Sequence, residues 1–262
     1  MAKGRITRLD TAAARAVAGV VAIITHENAP KLPRPVMDSR GAVASPLPVL
    51  QDPQVHWNGE PIALVVADTQ EAAEHAAALI RAEYAPQEAQ TSFAEGKSRA
   101  ELPADKLILM KPSEAVVGDA EAELRKAAHR VDNLYTTPRY NHNALEPHST
   151  TAVFEEDGRL LVFDSTQNGP GVKFSLAQMF GLKDEQVQVI YLFVGGGFGS
   201  KGFMWLNTPL CVLAARQTGR PVKLALSRAG VYRAVGGRTS SEQRVAIGAD
   251  ADGHFRALIH AG

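Results

Sequence analysis

Cysteine is nearly absent from this chain of 262 residues, since Cys211 is the only one. A single cysteine excludes an internal disulfide, a Cys-x-x-Cys redox pair and an iron–sulfur cluster ligated by this chain alone. Net charge is absent as well, because 28 basic residues balance 28 acidic ones. With no general field of either sign, we expect neither a nucleic-acid partner nor a membrane partner.

Long hydrophobic runs are also missing. The apolar stretches Val20–Ile24 and Ile62–Ala67 are far shorter than the roughly eighteen residues that a membrane-spanning helix requires. The basic residues after Met1 are not followed by the apolar segment of a secretory signal peptide. We therefore expect a cytoplasmic protein, or a periplasmic one if a partner subunit carries it across the membrane.

What remains is the composition of a globular protein, with 45% hydrophobic and 21% charged residues over a length that favours about two domains. Residues 1–85 predict a small α+β domain built of two similar β-α-β units. The predicted elements are a helix over 10–17, a strand over 20–25, a proline-rich loop over 27–56, a strand over 60–67 and a helix opened by a capping box at Asp68–Glu71.

Residues 86–118 are polar and interrupted by proline and glycine, which is typical of a linker. Beyond them, Glu156–Gly158 predicts a hairpin turn. The other predicted elements are helices over 121–129, 174–181 and 203–217 and strands over 131–136, 151–155, 159–165, 186–194 and 222–226. Strand patterns at both termini stop without a partner, so we expect a fragment of a longer protein.

The most unusual stretch is Gly195–Gly202, which follows a predicted strand and precedes a predicted helix. Consecutive glycines let a backbone approach a ligand closely, and the N-terminus of a helix attracts an anion. The stretch satisfies the dinucleotide pattern at Gly197, Gly199 and Gly202, but no acidic residue follows about twenty positions later to bind a ribose. It is not a P-loop either, because Gly202 follows Lys201 where that motif requires Ser or Thr. A turn that serves only backbone geometry is the alternative.

Two further clusters could carry chemistry. His142, Glu146 and His148 are ligand types for a divalent metal, but Pro147 prevents the helix that would group them, so we predict a polar turn and no metal site. The stretch Ser165–Pro170 contains an amide that could face a ligand, and a simple turn explains the same residues equally well.

These residues together resemble the molybdenum-cofactor subunit of the xanthine dehydrogenase and aldehyde oxidase family. The resemblance rests on Glu146–His148, Ser165–Gln167 and Gly195–Lys201, and on an N-terminal part similar to the family's α/β hammerhead domain at Gly4–Ala14, Gly19–His26 and Val55–Thr69. It implies an α+β protein. The hammerhead domain would occupy residues 1–85, the linker 86–118, and the first part of a mixed α/β molybdopterin-binding domain 119–262.

The resemblance also implies site residues. Cofactor-binding positions would be Gln167, beside the molybdenum centre, and the loop residues Gly196, Gly197, Phe198 and Gly199. Gly202 would line the substrate pocket at a position where xanthine-oxidising members carry a carboxylate, which favours aldehydes or other N-heterocycles over purines. The cofactor would be the molybdenum cofactor, either as molybdopterin or as its cytosine dinucleotide.

The implied reaction inserts oxygen from water into the substrate and passes electrons to an iron–sulfur subunit and a FAD subunit. The family's catalytic glutamate, a general base, would lie beyond Gly262, so we expect this chain to be inactive by itself. Two alternatives stay open at this stage: an inactive scaffold or assembly fragment, and a nicotinamide-dependent reductase that uses the glycine-rich loop.

Overall fold

The computed structural model of the chain describes residues 1–35, 40–41, 43–45, 47–101, 107–108 and 111–262. Its strands are β1 (Gly4–Asp10), β2 (Val20–Thr25), β3 (Gln54–Val55), β4 (Ala63–Ala67), β5 (Arg81–Pro86), β6 (Leu107–Ile108), β7 (Lys111–Pro112), β8 (His129–Thr137), β9 (Ser149–Phe154), β10 (Leu160–Asp164), β11 (Val187–Ile190), β12 (Val222–Ala225), β13 (Ser241–Ala249) and β14 (Phe255–Ala261). Its α-helices are α1 (Ala12–Arg15), α2 (Gln70–Leu79), α3 (Phe93–Lys97), α4 (Ala120–Lys126), α5 (Gly169–Phe180), α6 (Asn207–Thr218) and α7 (Arg228–Ala234).

The chain divides into two compact units. The first contains Met1–Ala89 and His142–Gly236, and the second contains Gln90–Asn141 and Gly237–Gly262. Within the described residues no helix is both long and apolar enough to cross a membrane. The predicted domain boundaries near residues 85 and 118 stay a prediction. The predicted domains are continuous in sequence, whereas each compact unit combines two separate segments of the chain.

The N-terminal part of the first unit contains two small antiparallel sheets. Strand β1 pairs with β3 and β5, whereas β2 pairs with β4. Both predicted β-α-β units are therefore wrong, because β1 and β2 lie in different sheets, and so do β4 and β5. Helix α2 begins one residue later than the predicted box, since Thr69 caps it by accepting a hydrogen bond from the Ala72 amide.

The C-terminal part of the first unit is a four-stranded mixed sheet in the order β11-β10-β9-β12. Strands β9 and β10 are antiparallel, which confirms the predicted hairpin, and Gly158 in its turn has φ +81°. Strands β10 and β11 are parallel and are connected through α5. Strand β12 pairs antiparallel with β9, so β11 and β12 lie at opposite edges of the sheet.

The core of this unit lies between the mixed sheet and helices α5 and α6. Leu160 and Val162, two residues apart on β10, are fully buried, as an alternating strand requires. Every residue of α6 from Asn207 to Ala215 is buried, which explains why its sequence lacks a polar face. This packing fixes the position of β10 and β11 beneath the loops that follow them.

Three predicted elements near the glycine-rich loop differ in their bounds by several residues. Helix α5 begins at Gly169, five residues early, because Asn168 caps it through the Gly171 amide. Strand β11 ends at Ile190, and the next four residues are exposed and unpaired with any described strand. Helix α6 begins at Asn207, four residues later than predicted, and four residues separate it from the 3-10 turn Ser200–Gly202 in which the glycine-rich stretch ends.

The second unit is built on the antiparallel sheet β14-β13-β8, against which α4 packs through Leu124, Ala246 and Ala257. The segment predicted as a linker contains the short helix α3 and the pair β6-β7, although part of it lies outside the described residues. Helix α4 ends at Lys126, three residues before the predicted end, because His129 already belongs to β8.

Candidate functional site

Three segments of the first unit meet at one edge of the mixed sheet. Two of them follow strands β10 and β11, namely residues 165–168 and the glycine-rich loop Gly195–Lys201. Because β10 and β11 are parallel neighbours, their carboxyl ends lie side by side, and the chain leaves both at the same edge. The third segment, residues 142–148, precedes β9, which is the other neighbour of β10.

Gln167 is in direct contact with the glycine-rich loop. Its backbone amide donates to the Lys201 carbonyl at 2.8 Å, and its side-chain Oε1 accepts from the Gly199 amide at 3.3 Å. A Cβ atom at Gly197 would lie only 2.4 Å from that Oε1, so the Gln167 amide can pack against the loop only because residue 197 is glycine. The Gln167 side chain is otherwise exposed, which leaves its amide NH₂ group available to a ligand.

The loop holds an unusual backbone conformation. Gly196 and Gly199 have φ values of +86° and +99°, and Phe198 between them has φ +54°. A bulky residue in the left-handed region costs free energy and persists only where its surroundings hold it. The side chain of Phe198 is 62% exposed, so packing of its ring into the core does not explain the conformation. Strained backbone beside an exposed ring is typical of a ligand-binding loop.

Glu146 is in contact with the loop and with a lysine. Its Oε2 accepts from the Gly195 amide at 2.9 Å and from Lys201 Nζ at 2.5 Å. Although burial acts to raise it, these two donors hold the pKa of Glu146 below its ordinary value. The carboxylate is therefore ionised at neutral pH and engaged within the protein. The segment before β9 bends at Leu145 and Glu146, where the sequence predicts a polar turn.

His148 is buried and Asp164 is partly buried, and both lie close enough to Lys201 for its charge to affect their pKa values. Burial and, to a smaller extent, the nearby Lys201 ammonium lower the pKa of His148 to about 4, so its ring is neutral at pH 7. Burial raises the pKa of Asp164 to about 6, although the Thr150 and Thr208 hydroxyls donate to its Oδ1 at 2.5 and 3.2 Å. Sequence reasoning missed Asp164, whose raised pKa comes mainly from burial, with a further contribution from the charge of Glu146.

The only cysteine carries no chemistry in this fold. Cys211 lies in α6 and is fully buried, and burial raises the pKa of its thiol to about 12. Its Sγ donates to the Thr150 and Val222 carbonyls at 3.4 and 3.2 Å. A thiol held protonated in a core is neither a nucleophile nor a metal ligand at neutral pH.

Gly202 lies at the end of the 3-10 turn, with nothing within 4 Å of the position that its Cβ would occupy. The expectation that it opens a helix is wrong, because α6 begins five residues later. The dipole of α6 therefore does not act directly on the loop.

In the described part of the chain, one group of three metal-ligand types comes within 4.8 Å: Asp250, Asp252 and His254 in the β13-β14 turn of the second unit. Asp250 Oδ1 already accepts from the backbone amides of Asp252 and His254, at 3.1 and 3.0 Å. A turn held by an aspartate explains this cluster.

The sheet order also decides between two interpretations of the glycine pattern. A dinucleotide-binding fold places the strand before the glycine-rich turn beside the strand after its helix, in parallel. Here those strands, β11 and β12, lie at opposite edges of a mixed sheet. The structure therefore does not support the nicotinamide-dependent reductase.

Comparison with known proteins covers nearly the whole chain. Residues 104–261 match the molybdopterin cofactor-binding domain, and residues 1–88 match the a/b hammerhead domain of aldehyde oxidase and xanthine dehydrogenase. Quinoline 2-oxidoreductase from Pseudomonas putida 86 is similar in fold, with a TM-score of 0.80 at 24% identity over 98% of this chain and 34% of that one.

Two relatives are similar in sequence. The aldehyde oxidoreductase molybdenum-binding subunit PaoC of Escherichia coli (strain K12) is 35% identical over 99% of this chain and 34% of its own length. A probable xanthine dehydrogenase subunit of Bacillus subtilis (strain 168) is 31% identical over 96% of this chain and 33% of its own length. The chain thus spans about a third of the length of these two relatives.

Proposed function

Because this chain belongs to the aldehyde oxidase and xanthine dehydrogenase family of molybdopterin-binding proteins, we propose that it is part of a molybdenum hydroxylase that oxidises aldehydes or N-heterocycles. Family membership confirms the resemblance found in the sequence. It also confirms the α+β class, with a hammerhead domain followed by part of a molybdopterin-binding domain. The molybdenum cofactor is the group that this family binds.

The residues present fit such a group. The observation that carries the proposal is the contact between Gln167 and Gly197, where any side chain larger than hydrogen would displace the glutamine amide. The Gln167 amide and the loop, with its residues of positive φ, therefore lie together where β10 and β11 end. Gly196, Gly197, Phe198 and Gly199 would line the cofactor, and the Gln167 NH₂ group would donate a hydrogen bond to it.

The cofactor, when bound, supplies two-electron oxidation of a substrate C–H group with water as the source of oxygen. The protein's own part is to position the cofactor and substrate and to exclude water that would compete for their hydrogen bonds. Exposed aromatic side chains beside the loop, Phe198 and Phe203, would contact an apolar substrate. The space beside Gly202 is open, and glycine has no carboxylate that could bind a purine N–H group. The pocket would therefore favour an aldehyde over a purine.

The two electrons would pass to an iron–sulfur subunit and then to a FAD subunit, as the family resemblance implies.

The proposed enzyme and an inactive scaffold differ in one measurable respect, namely turnover. The test uses the full subunit, including the part of the relatives' length that this chain does not cover, expressed with its partner subunits. We expect about one molybdenum per subunit and oxidation of aromatic aldehydes with an artificial electron acceptor. A full subunit with complete molybdenum content and no turnover of aldehydes or N-heterocycles would indicate the scaffold.

A further inference from the structure

We propose that Glu146 and Lys201 are positioning residues, whose ion pair holds the two ends of the glycine-rich loop in the conformation that a ligand requires. The importance of the loop for cofactor binding rests on the proposed function above. The positioning role itself is a property of the ligand-free chain. Neither residue was a predicted cofactor ligand, and nothing in the site requires either to touch one.

The entry of the loop is tied to the segment before β9. Glu146 and Gly195 exchange two hydrogen bonds: the Glu146 amide donates to the Gly195 carbonyl at 3.0 Å, and the Gly195 amide donates to Glu146 Oε2 at 2.9 Å. A Cβ atom at Gly195 would lie 2.5 Å from the Glu146 Cβ, so the two backbones approach as closely as glycine permits. The first residue of the loop therefore cannot move without Glu146.

The exit of the loop is held by Lys201. The Lys201 carbonyl accepts from the Gln167 amide at 2.8 Å and from the Thr166 hydroxyl at 3.0 Å. Lys201 is only 1% exposed as a residue, and its side chain is fully buried. Its ammonium lies 2.5 Å from Glu146 Oε2, the same oxygen that accepts from Gly195. One carboxylate oxygen thus joins the first and last residues of the loop.

Lys201 and Glu146 depend on their ion pair to different degrees, because their side chains differ in exposure to water. A buried ammonium is costly without an ionised partner, so Lys201 requires the carboxylate of Glu146. The Glu146 side chain is 40% exposed and has no such requirement, because water can hydrate it. Between the two tied ends, Phe198 holds φ +54°, a conformation that only external restraint maintains. The ion pair supplies restraint at both ends before any ligand arrives, which is preorganisation.

The test measures amide hydrogen exchange in this 262-residue chain, without cofactor, at Gly195, Gly199 and the amides of α6. Lys201→Met removes the ammonium and leaves a carboxylate that water can reach. Asp68→Asn is the control, because it breaks an exposed ion pair of the same unit, with Arg220 at 2.8 Å. We expect exchange at Gly195 and Gly199 to rise at least about tenfold in Lys201→Met, with α6 unchanged, and no rise in the control.

A second pair of variants separates the ion pair from ordinary packing. Glu146→Gln leaves the buried Lys201 ammonium without an ionised partner. The double variant Glu146→Gln with Lys201→Met has no buried charge and keeps an oxygen that can accept from the Gly195 amide. We expect slower loop exchange in the double variant than in Glu146→Gln alone. Unchanged loop exchange in Lys201→Met, or global unfolding of that variant, would overturn the proposal. In the full subunit, wild-type protein without molybdenum would contradict the proposed function and leave this exchange result intact.

Discussion

Gln167 Oε1 accepts a hydrogen bond from the Gly199 amide at 3.3 Å, across 32 residues of sequence. The absence of a side chain at Gly197 permits this contact, because a Cβ there would lie 2.4 Å from the same oxygen. The glutamine amide and the loop are therefore one structural feature, and a change in either should move the other.

Gly197→Ala tests this coupling. The added methyl group should displace the exposed Gln167 amide and break its bond to Gly199, which lowers the free energy of unfolding by about 0.5–1.5 kcal/mol. Gly202→Ala is the matched control, because its Cβ would meet nothing within 4 Å, and we expect a change within about 0.5 kcal/mol. Urea denaturation of both variants measures the difference. Equal stability of the two variants would contradict the contact.

Gln167→Ala should lower turnover in the full subunit without unfolding it. A lost hydrogen bond to a charged group in the transition state is equivalent to roughly 1.5–3 kcal/mol, or about ten- to a hundredfold in rate. Gln70→Ala is the control, since that exposed glutamine donates to Glu74 on the surface of α2. The measurement is kcat at constant molybdenum content. Unchanged kcat in Gln167→Ala would make Gln167 a turn residue only.

Asp164 and His148 should give opposite pH dependences of stability. The pKa of Asp164 is raised to about 6, so its contribution is present below its unfolded pKa and is lost as pH rises through 6. The pKa of His148 is lowered to about 4, so its contribution is present above pH 6.5 and is lost as pH falls through 4. Each amounts to at most about 3 kcal/mol, and the two nearly cancel between pH 4 and pH 6.

Single variants should reveal each contribution. Asp164→Asn keeps an oxygen for the Thr150 and Thr208 hydroxyls and should make stability fall more steeply on acidification below pH 6 than in the wild type. His148→Gln should do the opposite, with stability rising as pH falls from 6 towards 4, because only the Asp164 contribution remains. Urea denaturation at pH values from about 4 to 7.5 measures both slopes. Parallel pH profiles for the wild type and both variants would contradict the shifted pKa values.

Gly202 should make the full enzyme prefer aldehydes to purines. A site without a carboxylate cannot bond a purine N–H, and it selects by size and apolar contact instead. We expect kcat/KM for benzaldehyde to exceed that for hypoxanthine by at least about tenfold. Gly202→Glu, which the open space around Gly202 accommodates, should narrow that ratio. A wild-type preference for hypoxanthine would contradict the substrate assignment and leave family membership intact.

The sequence by itself determined the features that depend on near neighbours along the chain. The hairpin at Glu156–Gly158 depends on a glycine that can adopt positive φ, and the buried strand β10 depends on alternation of apolar residues. The family resemblance belongs here too, because its motifs are short runs such as Gly195–Lys201. Errors arose at element ends, where a side-chain cap set the first residue of a helix, as at Asn168 and Thr69.

Only the tertiary structure decided which of these local features meet. Lys201 and Glu146 are 55 residues apart, and nothing in either segment specifies that one would neutralise the other. Their pairing follows from the sheet order, which places β11 beside β10 and β10 beside β9, so that three separate chain segments end at one edge. A buried charge requires its partner in space, and proximity in space is set by strand pairing and core packing, which the local sequence pattern does not encode.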